Sequence, residues 1–386
     1  MSAVQHSGPP VLKPTYAEGV AAALSEAAAE GQAVRIRGGA TKLAWGAVAP
    51  EPPVTLSTAS LRRIVEHNAG DLTAVLEAGV PLAQAQARFA DAGQMLALDP
   101  PLGRDRAATV GGVIASADSG PLRHRYGGAR DLIIGITVAL CDGTVARAGG
   151  KVIKNVAGYD LAKLFTGSLG TLGVIVSVNV RLHPKPKAFA TALGASSDPA
   201  TLAAGAQALA AAPIELDSLD VAWRGGRGGL LARVAGASPQ KRAERAAAVM
   251  RESRLEQVDI TDDDADLWAR QRAGQRSREA ALVRVAARPS ALAQVIAAAH
   301  DRGATLVGRA ALGISYLDLD PEAVAVLRER LADARAVILL DAPLPVRRAQ
   351  DPWGAREGPE LELMRRVKRR FDPLGLCNPG VFVGGI

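Results

Sequence analysis

Val34-Arg35-Ile36-Arg37-Gly38-Gly39-Ala40-Thr41 has the pattern of a short strand running into paired glycines. Without Cβ atoms the backbone can fold tightly enough for consecutive N–H groups to point into one concavity and bind an anion. Thr41 adds a hydroxyl donor. Alone, the segment also suits an ordinary Gly-Gly turn. Its weight comes from two further glycine-rich turns downstream. Thr109-Val110-Gly111-Gly112-Val113-Ile114-Ala115-Ser116 places glycines at the opening of a short helical stretch. Free N–H groups and the helix dipole then face the same way. The small residues 115 and 116 permit close approach of a flat ligand, and equally a close helix–helix contact. The third turn is Gly167-Ser168-Leu169-Gly170-Thr171-Leu172-Gly173-Val174-Ile175, preceded by Asn155-Val156-Ala157-Gly158-Tyr159-Asp160-Leu161. Three amide-presenting turns in one segment suggest a large ligand carrying a diphosphate.

Other phosphate-binding and catalytic signatures fail at identifiable positions. Gly167, Gly170 and Gly173 follow a predicted helix and precede a strand, whereas a Rossmann turn follows a strand and opens a helix. The GxGxxG spacing is also missing. A Walker A loop fails because Val152 follows Gly150-Lys151 and Val145 stands where the first glycine belongs. No GxSxG elbow occurs.

Composition narrows the class. The 386 residues are 48% hydrophobic and 22% charged, as in a globular chain of two to three domains. Aromatics are only 3%, so the core must be built from small aliphatic groups. Lys+Arg exceed Asp+Glu by 46 to 39, a net +7, but the cations are dispersed and few aromatics are present to stack on bases. Nucleic acid is therefore not an expected partner. No apolar run reaches the roughly 20 residues of a membrane span, and Met1 to Pro10 has no signal-peptide pattern. The expectation is a cytoplasmic chain, associated with a membrane only through partners. Cys141 and Cys377 are too few for a disulfide framework, a four-cysteine zinc site or an iron–sulfur cluster, and the five histidines show no ligand spacing. Electron transfer by this chain thus calls for an organic cofactor, with no metal site.

Periodicity and turn signals predict the elements. A capping box Thr15-x-x-Glu18 opens an Ala-rich helix that Gly31 stops. Strands follow at Val34 to Arg37, Val54 to Ser57 and Thr73 to Gly79, then a helix from Pro81 to Ala92. Asp142-Gly143 marks a hairpin between Leu132 to Cys141 and Thr144 to Ala148. A helix covers Asp160 to Phe165, and a long β run Val174 to Leu182. His183-Pro184-Lys185-Pro186-Lys187 reads as a solvated boundary that cannot continue a ladder. Beyond it lie strands at Leu216 to Trp223 and Leu230 to Ala235, a helix capped by Ser238-Pro239, further α+β alternation, and an irregular stretch from Pro343 to Pro359. The acidic run Thr261 to Asp266 suits a helix N-terminus. A last helix sets Leu363, Met364, Val367 and Phe371 opposite a basic face.

At this point the chain resembles a known family. Arg37-Gly38-Gly39-Ala40-Thr41, Ala108-Thr109-Val110-Gly111-Gly112-x-x-Ala115, Arg125-Tyr126-Gly127, Arg130-Asp131 and Phe371-Asp372-Pro373…Asn378-Pro379-Gly380 are similar to the FAD-binding fold of the vanillyl-alcohol oxidase and p-cresol methylhydroxylase superfamily. Lys154 to Leu161 and Gly93-Gln94-Met95-Leu96-x-Leu98-Asp99-Pro100-Pro101 narrow the resemblance to the FAD-binding E subunit of bacterial glycolate oxidase. The close match covers about 35 to 186 and the C-terminal tail.

The resemblance implies an α+β architecture: a two-part FAD-binding domain of the PCMH type and an α+β cap with an antiparallel sheet. A leader would occupy 1–10, the FAD-binding domain 11–186, the cap 187–345, and a C-terminal segment 346–386 would return to the FAD domain. Arg37, Gly38, Gly39, Ala40 and Thr41 would wrap the FAD diphosphate, with Trp45 and Gly46 nearby. Thr109, Gly111, Gly112, Ala115 and Ser116 would line phosphate and flavin contacts. Gly173, Val174 and Ile175 would meet the adenosine side. Asn155, Tyr159 and Asn378 would sit near the flavin, and Pro101 by the ribityl chain. Ala40 replaces a third glycine, so its backbone must avoid φ > 0 or carry strain. Thr41 replaces the histidine that some relatives join to flavin, which implies non-covalent FAD.

The implied activity is oxidation of a small 2-hydroxy acid, glycolate or D-lactate, within a complex containing a related FAD subunit and an iron–sulfur subunit. A free-standing FAD-linked dehydrogenase and a flavin-retaining scaffold are the alternatives. Such chemistry needs a guanidinium for the carboxylate. Arg123, Arg125 and Arg309 could supply it, with Tyr316 further along the chain as a weaker site candidate, and the sequence assigns no base. His124 suits a solvated or structural role.

Overall fold

A computed structural model of the chain describes residues 9–151, 160–277, 280–354 and 357–386. Its first layer is a three-stranded parallel sheet, in the order Val11–Leu12, Val54–Ser57, Val34–Arg37. Beside it lies a five-stranded antiparallel sheet, ordered Ile64–Asn68, Thr73–Glu77, Val174–Arg181, Ile133–Ala139, Val145–Gly149. The helix Ala17–Ala29 packs between these sheets, burying Val20, Leu24 and Ala27 against Leu56, Ala139 and Val174. Tyr16, not Thr15, occupies its N-cap, and no side-chain cap bond forms there. The predicted box is thus absent, and burial of the apolar stripe holds the helix instead.

The predicted hairpin forms, with Gly143 at φ +83°. The boundary at His183 behaves differently from expectation. His183–Pro184 pairs antiparallel with Gln94–Met95, a two-stranded ladder that tolerates proline at its edge.

The second half is one eight-stranded sheet, ordered Glu256–Thr261, Phe189–Ser196, Arg227–Ala235, Ser218–Arg224, Thr305–Arg309, Ile314–Leu319, Ala281–Ala286, Ala336–Asp341. Every pairing within it is antiparallel. Alternation along Ser218–Arg224 explains its two faces. Leu219, Val221 and Trp223 join the core under the helices Pro199–Ala211, Pro239–Glu252 and Leu292–His300. Ser218 and Asp220 lie on the other face, which meets the first half of the molecule. Ser238 has φ +50° and makes no cap bond. The stretch after Pro343 is not wholly irregular, since Leu344–Ala349 is a short helix. Among the described residues no helix is long and apolar enough to cross a membrane.

Candidate cofactor site

The glycine turns meet. Arg37, Gly38, Gly39, Ala40 and Thr41 line one cleft together with Thr109, Gly111, Gly112, Ala115, Ser116, Gly173, Ile175 and Asn378. Trp45 closes one side and is 7% exposed.

Close backbone approach explains the glycines. A Cβ on Gly38 would stand 2.4 Å from the Thr109 hydroxyl oxygen, and one on Gly111 would stand 2.6 Å from Ala78 Cβ. Ala40 adopts φ +56°, so the strain anticipated for it is present, at about 1–2 kcal/mol. Among the described residues the amides of Gly38 to Lys42 donate to no backbone or side-chain acceptor. They form the free-donor wall that an anionic group requires.

The second turn differs from its expected role. The helix Val110–Ser116, α1, is capped by Thr109, whose Oγ1 accepts from Gly112 N at 3.3 Å. Val110 N donates to Val80 O at 2.9 Å and Gly111 N to Ala78 O at 2.8 Å. Its leading amides are therefore spent, and α1 contributes a small-residue wall, not an anion nest.

Asn378 joins the tail to this site. Its Oδ1 accepts from Ile36 N at 2.8 Å and its Nδ2 donates to Leu169 O at 2.6 Å. It thereby spans the first and third turns. Gly46 lies behind Trp45, where a Cβ would meet Val381 O at 2.5 Å. Val174 points into the core around Ala27 and Leu56, away from the cleft. Pro101 lines a neighbouring cavity with Asp99 and Arg272. Asn155 and Tyr159 lie outside the described residues.

Arg309, Tyr316 and Arg125 are not brought together at the cleft. Arg309 is 1% exposed, and its guanidinium is committed to Asp220 Oδ2 and Gln275 Oε1. Gln275 in turn donates to Ser119 O at 2.8 Å, so this network seals the seam between the two halves. Tyr316 is buried against Trp45, Leu282 and Ile338. Arg125 is exposed and pairs with Glu215 at 3.6 Å. Asp264 sits at the N-cap position of the helix Ala265–Ala273, α2, but caps nothing. Its carboxylate takes Arg233 in two bonds of 2.9 Å and the Thr191 hydroxyl at 2.7 Å.

Lys42 at the cleft, and Arg276 beside its Trp45 wall, escaped the sequence reading. Lys42 lines the cleft, with Nζ 3.3 Å from Asp118 Oδ2. Burial holds its ammonium below the usual lysine range, and Arg276 adds to this, against the opposing pull of Asp118. Its one local signal was a lone lysine directly after the glycine loop. Arg276 had none, because it arrives from a segment 158 residues beyond Asp118.

The seam titrates. Burial pushes the Asp99 carboxyl up to about 6, with Arg272 opposing, and pushes Asp220 up to about 7, with Arg309 opposing and Asp99 reinforcing. An unfolded carboxyl titrates near 4. Between these values the folded state binds more protons than the unfolded one, so stability falls as pH rises from about 4 to about 6. Asp99→Asn is expected to flatten that slope when thermal midpoints are recorded across the interval. An unchanged slope would refute the assignment.

Comparison with known proteins agrees with this geometry. Residues 9–149 match the family of the FAD binding domain, and residues 348–382 match the C-terminal domain of FAD linked oxidases. A D-lactate dehydrogenase of Archaeoglobus fulgidus is 39% identical over 45% of this chain and 39% of its own length. The glycolate oxidase subunit GlcE of Escherichia coli is 34% identical over 45% of this chain and 49% of its own. The chain thus matches half or less of the length of these curated relatives. An uncharacterised FAD-linked oxidoreductase of Mycobacterium tuberculosis is 27% identical over 98% of this chain and 92% of its own. Among solved structures, an alkyldihydroxyacetonephosphate synthase superposes with a TM-score of 0.70 at 14% identity, covering 96% of this chain and 76% of that one. This last likeness is one of fold. The architecture is the PCMH-type FAD-binding fold with a cap, and FAD is its cofactor.

Proposed function

We propose that this chain, which carries the FAD-binding and C-terminal domains of the FAD-linked oxidases, is the FAD-binding subunit of a glycolate oxidase-type complex. It takes part in oxidising a 2-hydroxy acid, glycolate or D-lactate, and in passing electrons to an iron–sulfur partner. The observation that carries this reading is the convergence of three distant turns and Asn378 on one cleft with a wall of free amides. Similarity to GlcE, named as a subunit of glycolate oxidase, supports a multi-subunit assembly. Bound FAD supplies the two-electron acceptor. Residues 38–42 hold its phosphates by main-chain donation, α1 permits close approach, and Asn378 keeps the first and third turns in register. Attachment is non-covalent, because Thr41 offers a hydroxyl where a histidine would be needed. The division into 11–186, 187–345 and 346–386, and a cytoplasmic location with membrane contact only through partners, belong to the same proposal.

A second reading, a flavin-retaining relay or scaffold, is favoured by the committed state of Arg309 and the burial of Tyr316. The test is anaerobic addition of glycolate or D-lactate to the purified chain, alone and with its partners. Bleaching of the visible flavin band is expected in the assembled complex. Bleaching of the isolated chain makes it autonomous, and its absence there assigns relay. A colourless preparation that stays colourless when offered FAD overturns the proposal.

A further inference from the structure

The last helix of the chain leaves an apolar groove uncovered. This helix is Pro359–Phe371, α3, and its Leu363, Met364 and Val367 form one bank of the groove. Leu164 and Leu172 form the other. Leu363 is 58% exposed and Met364 41%, so two large apolar side chains of one face stand in water. Contiguous exposure of this kind marks an interaction site, as scattered apolar residues do not. Ser168 lines the groove too, buried, and its hydroxyl has no partner among the described residues. An unpaired buried hydroxyl is costly, and a polar group arriving with an occupant relieves it.

The charge beside the groove is one-sided. Arg366 and Arg370 stand three residues on from Leu363 and Val367 and flank them on the helix surface. Both are exposed and have no acidic partner among the described residues, whereas Glu357 takes Arg365 and Glu362 takes Arg369, each at 3.0 Å. Beside Leu164, Lys163 and Asp160 offset each other at 3.1 Å. Glu360 lies one turn before Met364, so the uncompensated positive end of the groove is the C-terminal one. The third glycine turn has the groove on one side and the cofactor cleft on the other. Ser168, Thr171 and Leu172 line the groove, while Leu169, Gly170 and Gly173 line the cleft.

We propose that this groove seats an acidic amphipathic helix of the iron–sulfur partner, with its apolar ridge between the banks and its carboxylates on Arg366 and Arg370. A ridge of side chains at helical spacing fills a groove of this form. A membrane surface, being flat, calls for an apolar face that protrudes. The two unpaired guanidiniums fix the sign of the partner's charge and speed its approach. The inference rests on the multi-subunit reading above and assigns that assembly its contact face. It also places the partner one turn of backbone from the cofactor cleft.

The full chain is tagged in its native cell, and the ratio of cluster-bearing subunit to chain is measured in the purified assembly at low and at high salt. Leu363→Asp should lower that ratio at least about fivefold at both. Arg366→Glu with Arg370→Glu should lower it as much at low salt, and the gap from wild type should close at high salt as the charges are screened. All three side chains are exposed, so flavin content and thermal midpoint should stay at wild-type values. A photo-crosslinking residue in place of Met364 should join the cluster-bearing subunit at a segment where Asp or Glu flanks apolar residues. An unchanged ratio in both variants, or a crosslink to a second copy of this chain, overturns the groove as the contact face while the assembly stands. Flotation of the chain with phosphatidylglycerol vesicles, lost in the same variants while the ratio holds, assigns the face to a membrane and overturns it too. A wild-type chain that purifies with no cluster-bearing subunit overturns the multi-subunit reading itself, and the inference with it.

Discussion

Gly39→Ala is expected to yield a protein that purifies without flavin. A Cβ at this position would lie 1.7 Å from Ala107 O and 2.7 Å from its carbonyl carbon. Ordinary carbon–oxygen contacts begin near about 3.3 Å. Both partners are backbone, so no rotamer change relieves the clash, and either the loop or the turn at 107 must move. Movement of the loop carries its free amides away from α1. We expect a stability loss of about 3 kcal/mol or more and an FAD-to-protein ratio below about a tenth of wild type. Gly31→Ala is the control. It has open space around its Cβ but φ +65°, so it should cost about 1 kcal/mol and leave flavin content unchanged. Full flavin in Gly39→Ala would remove the first turn from the site.

Lys368→Met should produce the largest loss of stability. The Lys368 ammonium, on the helix Pro359–Phe371, donates to Asp372 Oδ2 at 2.6 Å, Thr171 O at 2.7 Å and Cys377 O at 3.1 Å. Asp372 also accepts from Leu376 N at 3.0 Å and Cys377 N at 2.7 Å. Burial alone would raise the Asp372 carboxyl, yet Lys368 and these amides hold it below the usual carboxylate range. Removing the ammonium leaves a bare carboxylate in a buried site, at a cost of about 3–5 kcal/mol. The urea midpoint reads this directly. Because Asn378 follows on the same tail, flavin content should fall as well. Lys368→Met with Asp372→Asn should be less damaged than Lys368→Met alone, since no bare charge is then buried. A double variant as unstable as the single one would contradict the account.

Legibility followed the range of the interaction. The strands Val34–Arg37 and Val54–Ser57 and the hairpin at Asp142-Gly143 were readable because alternation and turn preference act over a few residues. The glycine turns were readable as a class because the absence of Cβ is a local fact. Their individual roles were less so. The amides opening α1 were expected to be free, and only the fold shows that Val80 and Ala78 already accept them. Thr15-x-x-Glu18 has the letters of a capping box, but the chain enters the helix one residue later. Arg309 had the chemistry of a substrate arginine, and burial beside Asp220 decided otherwise.

The amino-acid sequence by itself therefore determined the hairpin, several strands, the glycine turns and the class of cofactor they serve, since each depends on bonded neighbours. Only the tertiary structure decided which cations are spent and which face the cleft. The pairs Arg309–Asp220, Arg276–Asp118 and Asn378–Ile36 join positions 89, 158 and 342 residues apart. A charge takes its partner by distance in space, and at such separations no periodicity along the chain encodes that distance.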